Sequence, residues 1–212
     1  ETNLPTNGGN SLTDPNNTDG SSSLLNLPAY ILQDLLECFP MNANETYLMS
    51  FTTGGLFLQE SLLFADLFLE TNDWLIVSKK VKENNLLQSR MSSSAKRVSQ
   101  EIVGRLKCLN ERELNFLLTG SNLDQRLMLW VAVCRKYTFI RDFAIEVLCY
   151  KYKTYKTKID KDDYELFYSQ KEDTHPEVER LAPSTKDKLR SVMFKNMRDV
   201  GLIDKAGTIN AI

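Results

Sequence analysis

The sequence is poor in the residues on which most enzymes are built. It has one histidine, His175, in 212 residues. That excludes metal sites made from two or three imidazoles and leaves one candidate for any histidine-dependent triad. Its four cysteines, Cys38, Cys108, Cys134 and Cys149, never form a CxxC pair, which argues against a zinc finger or a thioredoxin-type site. Scattered in this way, three of them inside apolar helical stretches, they read as reduced thiols of a cytosolic protein. No GxxxxGK[ST], GxGxxG or GxSxG occurs, so the phosphate loops and nucleophile elbow those motifs encode are missing. The Gly54-Gly55 pair could cradle a phosphate, but a helix-entry turn explains it more simply. Asp160, Asp162, Asp163 and Glu165 lack EF-hand spacing and suit the N-terminus of a solvated helix. His175 precedes Pro176 in a polar stretch and reads as a surface residue. The expectation is a protein that is not an enzyme and has no cofactor and no metal.

Long apolar runs are also lacking. The longest uncharged run of the most apolar region, 46–59, has 14 residues, whereas a membrane span needs about 20. Glu60 and Asp66 interrupt the apolar stretch beyond it, so the region reads as a buried helix rather than a span. No positive n-region and apolar h-region open the chain, and a cytoplasmic location is expected.

What is present is hidden by a formal net charge of −2. Residues 1–40 carry five acids and no Lys or Arg. Residues 79–107 hold eight basic groups against Glu83 and Glu101, and residues 126–158 hold eight against Asp142 and Glu146. Each stretch is therefore net +6, a charge block of the kind that marks a polyanion-binding surface.

Along the chain, 1–23 is too polar to repay the entropy of ordering. Residues 24–40 carry enough leucine for one short amphipathic helix. The segment 1–40 thus reads as a disordered or non-native extension, with Met41 as a natural start. From there helical periodicity dominates. Helices are expected over 56–70, from Asp73 to about 84, over 84–90, from a Ser92-Ser93 cap to about 109, over 111–119, 122–137, 138–155 and 160–170, and over 185–200 behind a Ser184 cap and ahead of Gly201. Residues 202–212 could pair into a short wing around Ala206-Gly207. The fold class is mainly α: a multi-helix protein with helix-turn-helix-like elements, divided into a helical part, 41–158, and a C-terminal helix-turn-helix or winged-helix-like module, 159–212.

Residues 84–106 read as helix, polar turn and helix: NNLLQSR, MSSS, AKRVSQEIVGRL. Apolar residues on one face would leave Arg90, Lys96, Arg97 and Arg105 outward, beside Ser93 and the preceding Lys79, Lys80 and Lys82. A helix start with hydroxyls and cations suits phosphate oxygens through both dipole and charge, and is the layout of a recognition helix. An amphipathic helix with a solvated cationic face fits the same pattern. The C-terminal stretch repeats it with Ser184, Thr185, Lys186, Lys188, Arg190 and Lys195. Tyr150, Tyr152 and Tyr155 alternate with Lys151, Lys153, Lys156 and Lys158 in a stripe that could track a nucleic-acid backbone, or simply pack its tyrosines.

Three stretches together resemble the BrxA family of BREX phage-defence systems, small proteins long described as inner-membrane proteins of unknown function: SFTTGGLFLQES (50–61), VKENNLLQSRMSSSAKRVSQEIVGRL (81–106) and PSTKDKLRSVMFKNMRDVGLI (183–203). The resemblance covers about 46–203. It implies an all-helical cytosolic protein without catalytic residues that binds double-stranded DNA and works beside other BREX components, the methyltransferase and ATPase among them, in marking host DNA and blocking phage replication. It also implies that the membrane label is a hydropathy artefact. A protein–protein adaptor that holds those components, with little direct DNA binding, is the alternative.

Overall fold

A helix enclosed on all sides over its second half lies at the centre of the computed structural model, which describes residues 45–88 and 91–210. This helix, Asn122–Lys136, buries every side chain from Leu129 to Cys134, together with Leu127. Ser121 caps it and forms a reciprocal capping box with Asp124, which satisfies two backbone donors at its start.

In chain order the helices are α1 (Leu58–Thr71), α2 (Trp74–Glu83), α3 (Ser92–Leu106), α4 (Glu111–Thr119), α5 (Asn122–Lys136), α6 (Thr138–Phe143), α7 (Tyr150–Lys153), α8 (Lys161–Glu172), α9 (Pro176–Glu179) and α10 (Pro183–Val200). Helices α3, α4 and α10 all pack on α5, and α1 packs on α2, α3 and α4. Between α6 and α7 the backbone opens into a π-helical segment, Ala144–Cys149. One cluster of buried side chains runs from Tyr47 to Ile203. Its aromatic centre is Phe139, whose ring meets Tyr47, Phe51 and Phe167 at 5.4, 6.0 and 5.1 Å.

Most expected helices are present. Asp73 accepts from the Leu75 N–H, Asn110 from the Glu113 N–H, and Asp160 from the Asp162 and Asp163 N–H groups. Gly201 ends α10 at φ 97°, a left-handed turn that glycine adopts without steric cost.

Several expectations need correction. Residues 84–87 form turns rather than a helix, with Asn85 and then Gln88 at positive φ. The cap of α3 is Met91, whose carbonyl accepts from the Ser94 and Ala95 N–H groups. Ser92 and Ser93 belong to the helix itself. Helix α10 begins at Pro183 behind Ala182, so Ser184 is not its cap, in keeping with the preference of proline for the first helical turn. The apolar run after Thr46 is a helix only from Leu58 onward. Among the described residues no helix is long and apolar enough to cross a membrane. The C-terminal turn makes two isolated bridges, Ile203 with Ile209 and Lys158 with Thr208, and no strand forms among the described residues. It lies against 157–159, where the Ile159 N–H donates to the Gly207 carbonyl at 2.8 Å. A Cβ at Gly207 would fall 2.2 Å from the Ile159 carbonyl oxygen, so only glycine allows this approach.

Candidate nucleic-acid interface

The two basic helix starts behave differently once folded. On α3, Ser93, Lys96 and Arg97 are exposed. No ion pair reaches Lys96 or Arg97 among the described residues. Helix α2 packs on α3 and brings Lys79, Lys80 and Lys82 to the same pair of elements. Lys79 has Glu83 one turn away at 4.0 Å, both well exposed, a pair worth little. Lys82 is exposed and lines a groove of about 740 Å³ between the two helices, together with Lys96 and Lys107. The floor between those lysines includes Val81, Ala95 and Val103. Sequence reasoning misses Lys107, although its signal is there: eleven residues from Lys96 is close to three full turns and returns to the same helix face. Arg90 lies outside the described residues.

Arg105 is the main departure. It was expected on the outward face of α3 and is 2% exposed. Its Nε donates to Glu101 Oε1 at 2.7 Å and one terminal nitrogen donates to the Gly55 carbonyl at 2.8 Å. Glu101 also accepts from Lys136 Nζ at 2.8 Å and from the Tyr137 hydroxyl at 2.7 Å. Burial alone would raise the Glu101 carboxyl pKa, but Arg105, Lys136 and Tyr137 outweigh it and hold the group below its usual range. A charge so completely enclosed ties α3 to α5 and to the Gly54-Gly55 turn and is unavailable to a ligand. That turn is a helix entry, the simpler of its two readings. The Leu56 N–H donates to Asp199 Oδ2 at 3.2 Å, so a carboxylate of α10 already takes the place an anion would occupy.

On α10 the cations are largely spent. Lys186 Nζ sits 3.0 Å from Glu165 and 4.0 Å from the Tyr168 ring centroid. Arg190 bonds Glu165 at 2.6 Å and Asp187 at 2.8 Å. The two cations, despite an opposing effect of desolvation, keep the Glu165 carboxyl below its ordinary range. Lys195 pairs with Asp199 at 3.0 Å. Thr185 is half-buried, whereas Ser184, Lys188 and Arg198 are exposed, and no ion pair reaches Lys188 or Arg198 among the described residues.

The connection between the two basic helices is also longer than the turn of a helix-turn-helix motif. The connection from α2 to α3 runs from 84 to 91, against the roughly three- to four-residue turn of that motif. His175, read as an unpartnered surface residue, is half-buried. Its ring lies 4.2 Å from that of Tyr47, and its Nδ1 is 3.2 Å from Glu177. Cys108, Cys134 and Cys149 are free thiols, and burial raises the pKa of Cys134 well above the usual thiol range.

Comparison with known proteins gives this architecture a family. A crystal structure of an uncharacterized protein from Magnetospirillum magneticum superposes with a TM-score of 0.67 at 22% identity, covering 78% of this chain and 86% of that one. The BREX protein BrxA of Escherichia coli O9:H4 (strain HS) is 25% identical over 169 residues, 79% of each chain. The family described as BrxA matches residues 45–212. The chain belongs to the BrxA family.

Proposed function

We propose that this protein is a non-catalytic, double-stranded DNA-binding accessory protein of a BREX bacteriophage-resistance system. One observation carries the reading: Lys82, Lys96 and Lys107, from two helices and the end of one of them, line a single groove, and Arg97, next to Lys96 in the chain, is exposed. Cations gathered from different elements, with no acid paired to Lys96 or Arg97 among the described residues, fit a ligand that presents phosphates at intervals. Such contacts position a protein on a duplex without reading its sequence. Binding through about 4–6 phosphates gives a slope of roughly −4 to −5 for log affinity against log salt.

A gel shift of the purified protein on unrelated duplexes at low salt tests the reading. Similar affinity for each duplex, lost as salt rises, is expected. No shift at low salt overturns it in favour of an adaptor that holds the methyltransferase or ATPase components. Leu75, 80% exposed near the start of α2, is the feature that favours that second reading.

A further inference from the structure

The helix that ends at Lys153 closes in a way that costs the fold stability. The Lys156 N–H donates to the Lys151 carbonyl at 2.9 Å and the Tyr155 N–H to the Tyr152 carbonyl at 3.2 Å. That bond pair is a Schellman motif, and it requires a left-handed residue at the position after the C-cap. Glycine or asparagine normally stands there. Here it is Tyr155, at φ 57°. A tyrosine in this conformation brings its Cβ close to the following carbonyl oxygen. Packing does not repay the strain, because Tyr155 is 92% exposed. Tyr150 and Tyr152, in the last turn of the same helix, are 55% and 48% exposed. Three large aromatic side chains thus stand in solvent at one helix end.

The charge around them has one sign. Residues 150–158 hold four lysines and no acid. Lys151 is bound to Asp163 and to the Lys158 carbonyl. Lys153, Lys156 and Lys158 are exposed with no ion pair among the described residues. Lys156 Nζ lies 5.5 Å from the Tyr150 ring centroid. Of the acids at the α8 start, Asp160 caps that helix and Asp163 holds Lys151, while Asp162 is exposed.

We infer that the helix end Tyr150–Lys158 is a binding site for single-stranded nucleic acid, in which Tyr155 stacks on an unpaired base and Lys153, Lys156 and Lys158 hold the flanking phosphates. Stacking on an aromatic ring tolerates any base, and the lysines supply the backbone attraction. A paired duplex hides the base faces that this site would use. The site shares no residue with the α3 groove and does not depend on duplex binding there.

The test uses the full chain with Tyr155→Gly and Tyr155→Phe. Fluorescence anisotropy reports binding to oligothymidylate, oligouridylate and a duplex, and a thermal melt is run on each variant. Tyr155→Gly removes the strain and should raise the Tm by about 2–4 °C. It should also weaken binding of the single strands about tenfold or more while leaving the duplex nearly unaffected. Tyr155→Phe, which keeps the ring, should bind like the parent. A loss shown by either oligonucleotide supports the site and names its sugar. If the parent binds single strands but no duplex, the duplex reading fails and this site stands. Single-strand affinity unchanged in Tyr155→Gly, or lost equally on strand and duplex, overturns it. If Tyr155→Gly melts lower than the parent, the residue supports the fold and the inference is also overturned.

Discussion

Helices α3 and α10 begin alike and end up differently. Each opens with serine and two or more cations within its first turns, and in sequence they look like two copies of one phosphate-binding device. In the fold Lys96 and Arg97 face solvent without an ion pair among the described residues. Lys186 and Arg190 are claimed by Glu165, which reaches across from α8. The difference lies in a single acid some twenty residues away in the chain. A cationic helix face is a property of one segment, whereas the availability of its charges is a property of the packing around it. The same lesson applies within α3, where Arg105 shares a helix with Lys96 and is enclosed by Glu101 and Gly55.

Breaking these relations ranks the expected effects. The largest belongs to Arg105. Arg105→Ala leaves part of the buried Glu101 charge uncompensated, which typically costs about 3–5 kcal/mol. The melt should fall by about 6–20 °C, and DNA affinity measured well below that melt should be close to the parent value. A parental Tm with weakened DNA binding would return Arg105 to the binding face. Next comes the double change Lys96→Glu and Arg97→Glu. It should weaken duplex binding about 10- to 100-fold and move the Tm by no more than about 2–4 °C, because surface substitutions stay within about 0.5 kcal/mol each. An early melt would mean that both residues hold the fold. Normal stability with normal affinity would move the face to Lys188 and its neighbours on α10.

The matching change on α10, Lys186→Met with Arg190→Met, should do the reverse. It removes two partly exposed partners of Glu165, worth about 1 kcal/mol together, and lowers the Tm by about 2–4 °C. Duplex affinity should change by less than about twofold. A tenfold loss there would erase the distinction between the two helices.

The smallest effect is expected in mild acid. Glu101 and Glu165 both have carboxyls held below the ordinary range. A depressed folded-state value stabilises the fold above the unfolded value of about 4.3 and is lost as pH falls through the folded one. The melt should therefore stay level from about pH 6 to 5 and drop only below about pH 4. Glu101→Gln should reduce that acid dependence, as differential calorimetry across pH would show.

Much of the fold was legible because amphipathic periodicity and caps are local. Asp73, Asn110, Asp160 and Gly201 sit at helix ends in the structure as their side chains suggest. The start of α3 was not, because Met91 stands at its N-cap without a capping side-chain hydrogen bond, so no side-chain pattern marks the place. The π-helical segment 144–149 was hidden for a similar reason, since its apolar spacing is compatible with an α-helix. The candidate site was only partly legible. Lys96 and Arg97 were readable from helix position, and Lys107 from its spacing to Lys96. The burial of Arg105 was not readable, because its enclosing carbonyl comes from Gly55, fifty residues earlier in the chain. The three lysines of the groove come together only when α2 packs on α3.

The claim that this packing builds a phosphate-binding face is tested most directly by the salt dependence of duplex affinity. The parent protein and the Lys96→Glu, Arg97→Glu variant would be titrated on one duplex from low to moderate salt. The parent should give a slope of roughly −4 to −5, and the variant a slope shallower by about 2, since each lost phosphate contact removes about 0.9. A flat response in the parent, or the same steep slope in both proteins, would contradict the account.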